Sequence, residues 1–237
     1  MDDIDALDAL GMRPKPTAQR PLLGTTVLIV EDSRFASEAL RLLCLRSGAR
    51  IRRADCLTAA ERHLSIYRPT VAIVDLGLPD GSGLDLIAQL DAARPRVPVI
   101  LGMSGADRSW AEDAAREAGA DGFLAKPLAA LAMFQAQILE HLPGDLRPKR
   151  PRPADLGMVE PDTLALSEDL THALLLLDGD SPPVDYLRKF LLGVARAADD
   201  DALEICVNAL TQRAAPEHVQ KLRTVLADRI STSRAAL

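Results

Sequence analysis

Three to five apolar residues in a row, each time leading to a polar or charged side chain, form the pattern that most constrains this fold. The apolar runs are 27–30, 71–74, 97–101 and 123–125, and the polar residues that they lead to are Glu31-Asp32, Asp75, Ser104 and Lys126. Stretches with the apolar spacing of amphipathic helices separate the runs. Strands that alternate with helices form a parallel sheet covered on both faces, and the carboxyl ends of its strands converge on one crevice. We therefore expect these polar residues to meet.

The full pattern predicts five strands and five helices between residues 26 and 142. A second, short strand is expected at 50–54, and the first helix is expected to begin after an N-cap at Ser33 and to end at Gly48. The remaining predicted helices are 58–67, 84–93, 107–119 and 128–141. The predicted fold is α/β, a doubly wound five-stranded parallel sheet followed by a small all-α helical bundle.

The order of these patterns divides the chain into four segments. Residues 1–25 form an acidic, proline-containing tail, in which Ile4, Leu7 and Leu10 suggest a short amphipathic turn. Residues 26–142 hold the α/β pattern, and residues 143–158 form a linker rich in proline and arginine. Residues 159–237 have only helical patterns, and their short connections favour antiparallel neighbours in a bundle.

The composition of the chain argues against several classes of protein. The 237 residues carry a net charge of −6, which argues against a general binder of nucleic acid or of anionic membranes. No apolar run approaches the roughly 18 residues of a membrane span, and the acidic N-terminus is unlike a secretory signal. The three cysteines lack metal-ligand spacing. We expect a reduced, cytoplasmic protein with no membrane partner.

The polar residues at the strand ends suit one kind of chemistry. Glu31, Asp32 and Asp75 would place three carboxylates together, and their mutual repulsion requires a cation. Hard oxygen ligands in an open crevice suit Mg²⁺. A carboxylate can also act as a nucleophile and become an aspartyl phosphate, with Lys126 and the metal neutralising the transferred group. The Ser104 hydroxyl can donate a hydrogen bond to a phosphate oxygen.

At this point the sequence resembles a known family. The stretches that carry the resemblance are Val27 to Ser33, Val74 to Gly83, Met103-Ser104-Gly105 and Gly119 to Pro127. They are similar to the receiver domain of two-component response regulators, a flavodoxin-like fold of the chemotaxis-regulator type. The resemblance covers about residues 26–142, near half of the chain.

The resemblance implies a role for each site residue. Asp75 would accept a phosphoryl group from a histidine kinase or a histidine phosphotransfer protein. Asp32, Asp75 and the backbone carbonyl of Gly77 would bind Mg²⁺, and Glu31 would act through a metal-bound water. The chain would then be a phosphoacceptor and not an enzyme with a separate substrate.

Three further residues follow from the same resemblance. Lys126 would contact the phosphate, Ser104 would turn toward it, and Phe123 would be the aromatic switch residue that moves inward as Ser104 turns. Two features depart from the family pattern. Ser104 lies six positions after Pro98, one more than expected, and Gly77 and Gly105 replace larger residues at the crevice mouth.

The helical segment carries no comparable motif. From Asp145 to Leu237 there are 12 Lys or Arg and 15 Asp or Glu residues, a net of −3, which disfavours a basic DNA-recognition helix. His172 lies on a predicted helix that Ser167 would cap, but the residues after it lack the Lys-Gly typical of phosphotransfer domains. We expect this segment to bind a protein partner. A DNA-binding transcriptional regulator is the alternative, and homodimerisation stays open.

Overall fold

The protein is described by a computed structural model that covers residues 14–105, 108–128, 130–149, 157–159, 162–179, 181–210 and 216–235. The amphipathic turn predicted around Ile4, Leu7 and Leu10 lies outside these residues. The described chain forms a five-stranded sheet flanked by helices, followed by four further helices. This architecture confirms the predicted fold class.

The five-stranded sheet is parallel throughout, with the order β2-β1-β3-β4-β5. Its strands are β1 (Thr26–Val30), β2 (Arg50–Ala54), β3 (Val71–Asp75), β4 (Val99–Ser104) and β5 (Gly122–Ala125). A two-stranded hairpin, Gly77–Leu78 with Gly81–Ser82, follows β3 directly. The chain crosses the sheet in opposite directions from β1 and from β3, so a crevice opens between the carboxyl ends of these two strands.

Five helices cover the sheet. They are α1 (Arg34–Ser47), α2 (Leu57–Leu64), α3 (Gly83–Ala92), α4 (Arg108–Glu117) and α5 (Leu131–His141). The predicted limits of α1 are confirmed, because the Ser33 Oγ accepts a hydrogen bond from the Ala36 N–H at 3.0 Å. Gly48 ends the helix with φ 85°, a left-handed conformation that glycine adopts without steric cost.

Alternate residues of the strands pack into two hydrophobic cores, one on each face of the sheet. Val27 and Ile29 of β1 pack with α1 and α5 on one face, where Phe134 is buried. Leu28 and Val30 point to the other face and pack with residues of α2, α3 and α4. This alternation is the period-two geometry of a strand, and it explains why all four residues of the β1 run are apolar.

The α/β domain extends beyond the predicted limits of 26–142 on both sides. Leu22 and Val159 are buried in the core that α1 and α5 cover. The Leu131 N–H donates to the Gly157 carbonyl at 3.2 Å, which fixes this return of the chain beside α5. Arg147 donates to the carbonyl of Leu142 at 2.6 Å. A single apolar residue outside a periodic pattern gives no sequence signal, so the pattern did not assign Leu22 and Val159 to this core.

The helical bundle consists of α6 (Thr163–Leu177), α7 (Val184–Ala197), α8 (Asp201–Asn208) and α9 (Pro216–Ala235). Its core is built by one apolar face of each helix, including Leu170, Leu191, Val207 and Leu226. None of the helices in the described parts of the chain is sufficiently long and apolar to cross a bilayer.

The predicted N-cap of α6 at Ser167 is wrong. The helix begins at Thr163, where the Asp162 carboxylate accepts a hydrogen bond from the Leu164 N–H at 2.9 Å. Ser167 lies one turn inside the helix and is buried. Aspartate and serine are equally good caps, and α6 gains its extra turn from packing that the local sequence does not reveal.

Candidate functional site

One cavity at the carboxyl edge of the sheet gathers the residues that the sequence singled out. Glu31 and Asp32 follow β1, Asp75 ends β3, Ser104 ends β4, and Lys126 follows β5. All five line a cavity of about 220 Å³, which we call the crevice. The strand β4 runs from Val99 to Ser104, so it starts two residues and ends three residues later than predicted.

A buried lysine holds two of the acids together. The Lys126 Nζ lies 2.7 Å from the Glu31 Oε2 and 2.8 Å from the Asp75 Oδ2. The side chain of Glu31 is fully buried, and those of Lys126 and Asp75 are 6% and 11% exposed. One carboxylate oxygen each from Glu31, Asp32 and Asp75 lie within 4.8 Å of one another. Three carboxylates beside one ammonium leave an excess of negative charge in a site with little solvent.

The pKa values in the crevice reflect this crowding. Burial raises the pKa of Asp32 to about 6, and the charge of Asp75 adds to the shift. Burial also raises the pKa of Glu31 well above its ordinary value, although Lys126 opposes the effect. Burial alone would lower the pKa of Lys126, but the charges of Asp75 and Glu31 outweigh it and raise that pKa. The lysine therefore stays protonated, and its single positive charge is shared among three acids.

Gly77 and Phe123 lie on two sides of the same site. The Gly77 N–H donates to the Asp75 Oδ1 at 3.4 Å, and Gly77 lines the crevice. Phe123 is buried on β5, paired in register with Gly102 of β4. It packs with the helices that cover the face opposite to α1 and α5. Gly77 is thus at the crevice, and Phe123 lies in the core behind it.

The donor set fits a hard divalent cation. Carboxylate oxygens are the ligands that Mg²⁺ takes in proteins, usually one or two of them together with waters and substrate oxygens. Glu31, Asp32 and Asp75 supply such oxygens at one point, and their excess charge favours a dication over a monovalent ion.

The helical bundle also reaches the crevice, which the sequence did not predict. The Tyr186 hydroxyl of α7 donates to the Asp32 Oδ2 at 2.7 Å. The Asp169 carboxylate of α6 accepts a hydrogen bond from the Ser33 Oγ at 2.7 Å, next to the crevice. Lys189 and Gly193 of α7 complete the lining. These residues were missed because the two domains were treated as separate units.

Gly77 and Gly105, which depart from the family pattern, are the sequence signal for the contact between the helical bundle and the crevice. A Cβ placed on Gly105 would come within 3.1 Å of the Gly193 Cα, and one placed on Gly77 would lie 3.9 Å from the Lys189 Cδ. The Arg196 guanidinium also donates to the Gly105 carbonyl. Gly105 therefore makes room for α7, whereas a Cβ on Gly77 would make only an ordinary van der Waals contact.

A comparison with protein families gives the same region an identity. The family model of the response regulator receiver domain matches residues 27–137. The chain contains a response regulator receiver domain. The KDP operon transcriptional regulatory protein KdpE of Escherichia coli (strain K12) is 38% identical over 103 residues, 44% of this chain and 45% of that protein. The transcriptional regulatory protein PhoP of Escherichia coli O157:H7 is 33% identical over 102 residues, 43% of this chain and 45% of that one.

The matches cover the receiver domain and less than half of each of these regulators. Two solved structures are similar over the same part. A signal receiver domain of a histidine kinase from Syntrophus aciditrophicus has 24% identity and a TM-score of 0.47, covering 55% of this chain and 99% of that one. A two-component response regulator from Clostridium difficile has 21% identity and a TM-score of 0.45, covering 49% and 93%.

Proposed function

We propose that this protein is a phosphorelay response regulator in which Asp75 accepts a phosphoryl group. The observation that carries the proposal is the position of the Asp75 carboxylate. It lies at the end of β3, 2.8 Å from a buried lysine and within 4.8 Å of two further carboxylates. It also lies inside the part of the chain that the receiver family matches. The proposed donor is the phosphohistidine of a histidine kinase or a histidine phosphotransfer protein.

The metal proposed for this site is Mg²⁺. Asp32, Asp75 and the Gly77 backbone carbonyl would hold it directly, and Glu31 would do so through a water. When bound, Mg²⁺ neutralises charge on the phosphoryl oxygens. The chain's own acids then face a cation, which offsets both the burial and the repulsion by Asp75 that raise the pKa of Asp32.

The proposed reaction is an in-line displacement. An oxygen of the Asp75 carboxylate forms a bond to phosphorus as the bond between phosphorus and the donor imidazole nitrogen breaks, and the imidazole leaves with the electron pair. The Lys126 ammonium, already 2.8 Å from Asp75, offsets the charge on the new acyl phosphate. The Ser104 hydroxyl would turn toward the phosphoryl group, and Phe123 would move with it. The protein modifies its own side chain, so it is a phosphoacceptor and not an enzyme with a separate substrate.

The proposed output is a contact between the helical bundle and another protein. Among the described residues of the bundle, three large apolar side chains are exposed: Leu164 at 45%, Leu175 at 69% and Ile205 at 66%. Apolar surface and acidic net charge suit a protein partner better than DNA.

Transcriptional control is the second candidate, because KdpE and PhoP are transcriptional regulatory proteins. Under this alternative the phosphorylated protein would bind a specific DNA sequence. A gel-shift assay with the phosphorylated full chain and genomic fragments separates the two. Salt-resistant binding to a subset of fragments would favour the second candidate over the first.

The phosphoacceptor is tested by mass spectrometry after incubation with acetyl phosphate and Mg²⁺. We expect one added phosphoryl group on the wild type and none on Asp75→Asn. Asp85→Asn is the matched control, because Asp85 is an exposed aspartate in the first turn of α3. Labelling of Asp75→Asn at the wild-type level would refute Asp75 as the acceptor.

A further inference from the structure

A buried aspartate of the helical bundle anchors it to the receiver domain. Asp169 is 2% exposed, and its Oδ1 accepts from the Arg34 N–H at 2.8 Å while its Oδ2 accepts from the Phe35 N–H at 3.0 Å. The Ser33 hydroxyl also donates to the Oδ2. The first N–H groups of a helix have no partner inside the helix, so a carboxylate at this point is stabilising. A residue about 135 positions away in sequence thus completes the start of α1.

Tyr186 of the bundle is hydrogen-bonded to Asp32, one of the proposed metal ligands. The Tyr186 ring stacks on Phe190, with the centroids 5.7 Å apart and the planes at 28°. Phe190 is buried in the bundle core, so the position of the Tyr186 ring follows that of the bundle. The Tyr186 hydroxyl donates to the Asp32 Oδ2 at 2.7 Å. The hydrogen bond therefore exists only while the bundle is docked.

Helix α7 lies across the mouth of the crevice. Arg188, Lys189 and Gly193 form one wall of the cavity that also contains Asp75. The cavity of about 220 Å³ is large enough for a small phosphodonor such as acetyl phosphate. A histidine on a protein donor needs an open approach, because its own helix or loop must come close to Asp75. The close contact between Gly105 and Gly193 leaves no space for a second backbone at that edge.

From these contacts, and resting on the proposed function, we infer that the bundle is an intramolecular cover of the phosphorylation site. In the closed form Asp169 anchors the cover, and the Tyr186 hydroxyl competes with a divalent cation for Asp32. Metal binding and opening are then linked, since a ligand that needs the Asp32 oxygen shifts the population toward the open form. The coupling is reciprocal, so loosening the cover tightens the binding of Mg²⁺.

The test is Mg²⁺ titration of the full chain, followed by the fluorescence of Trp110. This residue is the single tryptophan of the sequence, and it lines the crevice. Tyr186→Phe removes only the competing hydroxyl, and we expect the Mg²⁺ dissociation constant to fall about threefold to tenfold. Asp169→Ala releases the anchor without touching a proposed ligand, and we expect a fall in the same direction. Its radius of gyration in small-angle X-ray scattering should exceed that of the wild type.

Matched controls and a second opening variant complete the design. Tyr67→Phe and Asp178→Ala change the same residue types away from the crevice and should keep wild-type values. If Asp169→Ala fails to fold, Gly105→Leu opens the cover from the other side, because its side chain must displace Gly193. It should also tighten Mg²⁺ binding and expand the molecule.

Two results would overturn the proposal that the bundle covers the phosphorylation site. One is wild-type Mg²⁺ affinity in both Tyr186→Phe and the opening variant. The other is tighter binding confined to Tyr186→Phe, with unchanged scattering of the opening variant, because the hydroxyl alone would then explain the effect. A complete absence of a Mg²⁺ response in every protein, wild type included, would instead overturn the metal site of the proposed function.

Discussion

The Lys126 ammonium lies 2.8 Å from the Asp75 carboxylate and is almost fully enclosed. Its other partner, Glu31, is 2.7 Å away and completely buried. A single cation thus balances two acids in a site from which water is largely excluded. Removal of one member of a buried ionic group leaves the others uncompensated, which costs far more than the loss of a surface ion pair.

Lys126→Met should therefore destabilise the fold and abolish phosphorylation. At pH 7 we expect the free energy of unfolding in urea to fall by about 3 to 5 kcal/mol, because Glu31 and Asp75 then face each other without the ammonium. Lys149→Met, at an exposed lysine, is the control and should unfold at the wild-type urea concentration. Equal midpoints for the two variants would contradict the buried ion pairs.

Asp32 should make the metal-free protein less stable as the pH rises. Its pKa is about 6 in the folded protein against an ordinary 3.8, so the folded state binds the proton more tightly than the unfolded state does. That advantage is complete below pH 3.8 and is lost as the pH rises through 6, a change of up to about 3 kcal/mol.

The measurement is urea unfolding of the wild type and Asp32→Asn between pH 4 and pH 7 in the presence of a chelator. Asparagine cannot ionise, so the stability of Asp32→Asn relative to the wild type should grow between pH 4 and about pH 6 and then level off. A constant difference for Asp32→Asn would mean that Asp32 ionises normally in the folded state.

Gly83→Ala should destabilise the fold at the contact between α3 and Asp75. A Cβ at Gly83 would overlap the backbone carbonyl oxygen of Asp75, so β3 and α3 would have to move apart. We expect a loss of about 1 to 3 kcal/mol in unfolding free energy, as for other overpacked positions. Gly144→Ala is the control, since a Cβ there meets nothing within 4 Å. Similar melting temperatures for the two variants would show that α3 can shift freely.

Asp200→Ala should weaken the helical bundle specifically. The Asp200 Oδ1 accepts from the Leu203 N–H at 3.0 Å and caps α8, while the Oδ2 accepts from the Arg229 guanidinium of α9 at 2.7 Å. Loss of the cap should cost about 1 kcal/mol. Asp201→Ala, one residue further along and exposed, is the control. Hydrogen exchange should show faster exchange in α8 and α9 only; an even change over the whole chain would contradict this local role.

The sequence predicted the sheet and its crevice well because both depend on local patterns. Each strand of the sheet is a short run whose period is visible within a few residues, and parallel strands have one possible carboxyl edge. Glu31, Asp75, Ser104 and Lys126 each stand at or directly after the end of such a strand. Their meeting at one cavity follows from the topology.

The contact between the domains could not be predicted in the same way. Asp169 and Tyr186 look like ordinary residues of amphipathic helices, and their partners lie about 135 and 154 positions away. Helical periodicity identifies the face of a helix that is buried but not the surface that buries it. The glycines at 77 and 105 were visible as departures, and only the structure shows that α7 fills the space above them.

The burial of Val159 determines how far the bundle can move. Val159 is fixed in the core of the receiver domain, and α6 begins at Thr163. Three residues lie between these points, so their Cα atoms are four steps apart and can be at most about 14 Å from each other. An undocked bundle therefore stays beside its docking surface at a high effective concentration. Closure is therefore intramolecular and independent of protein concentration.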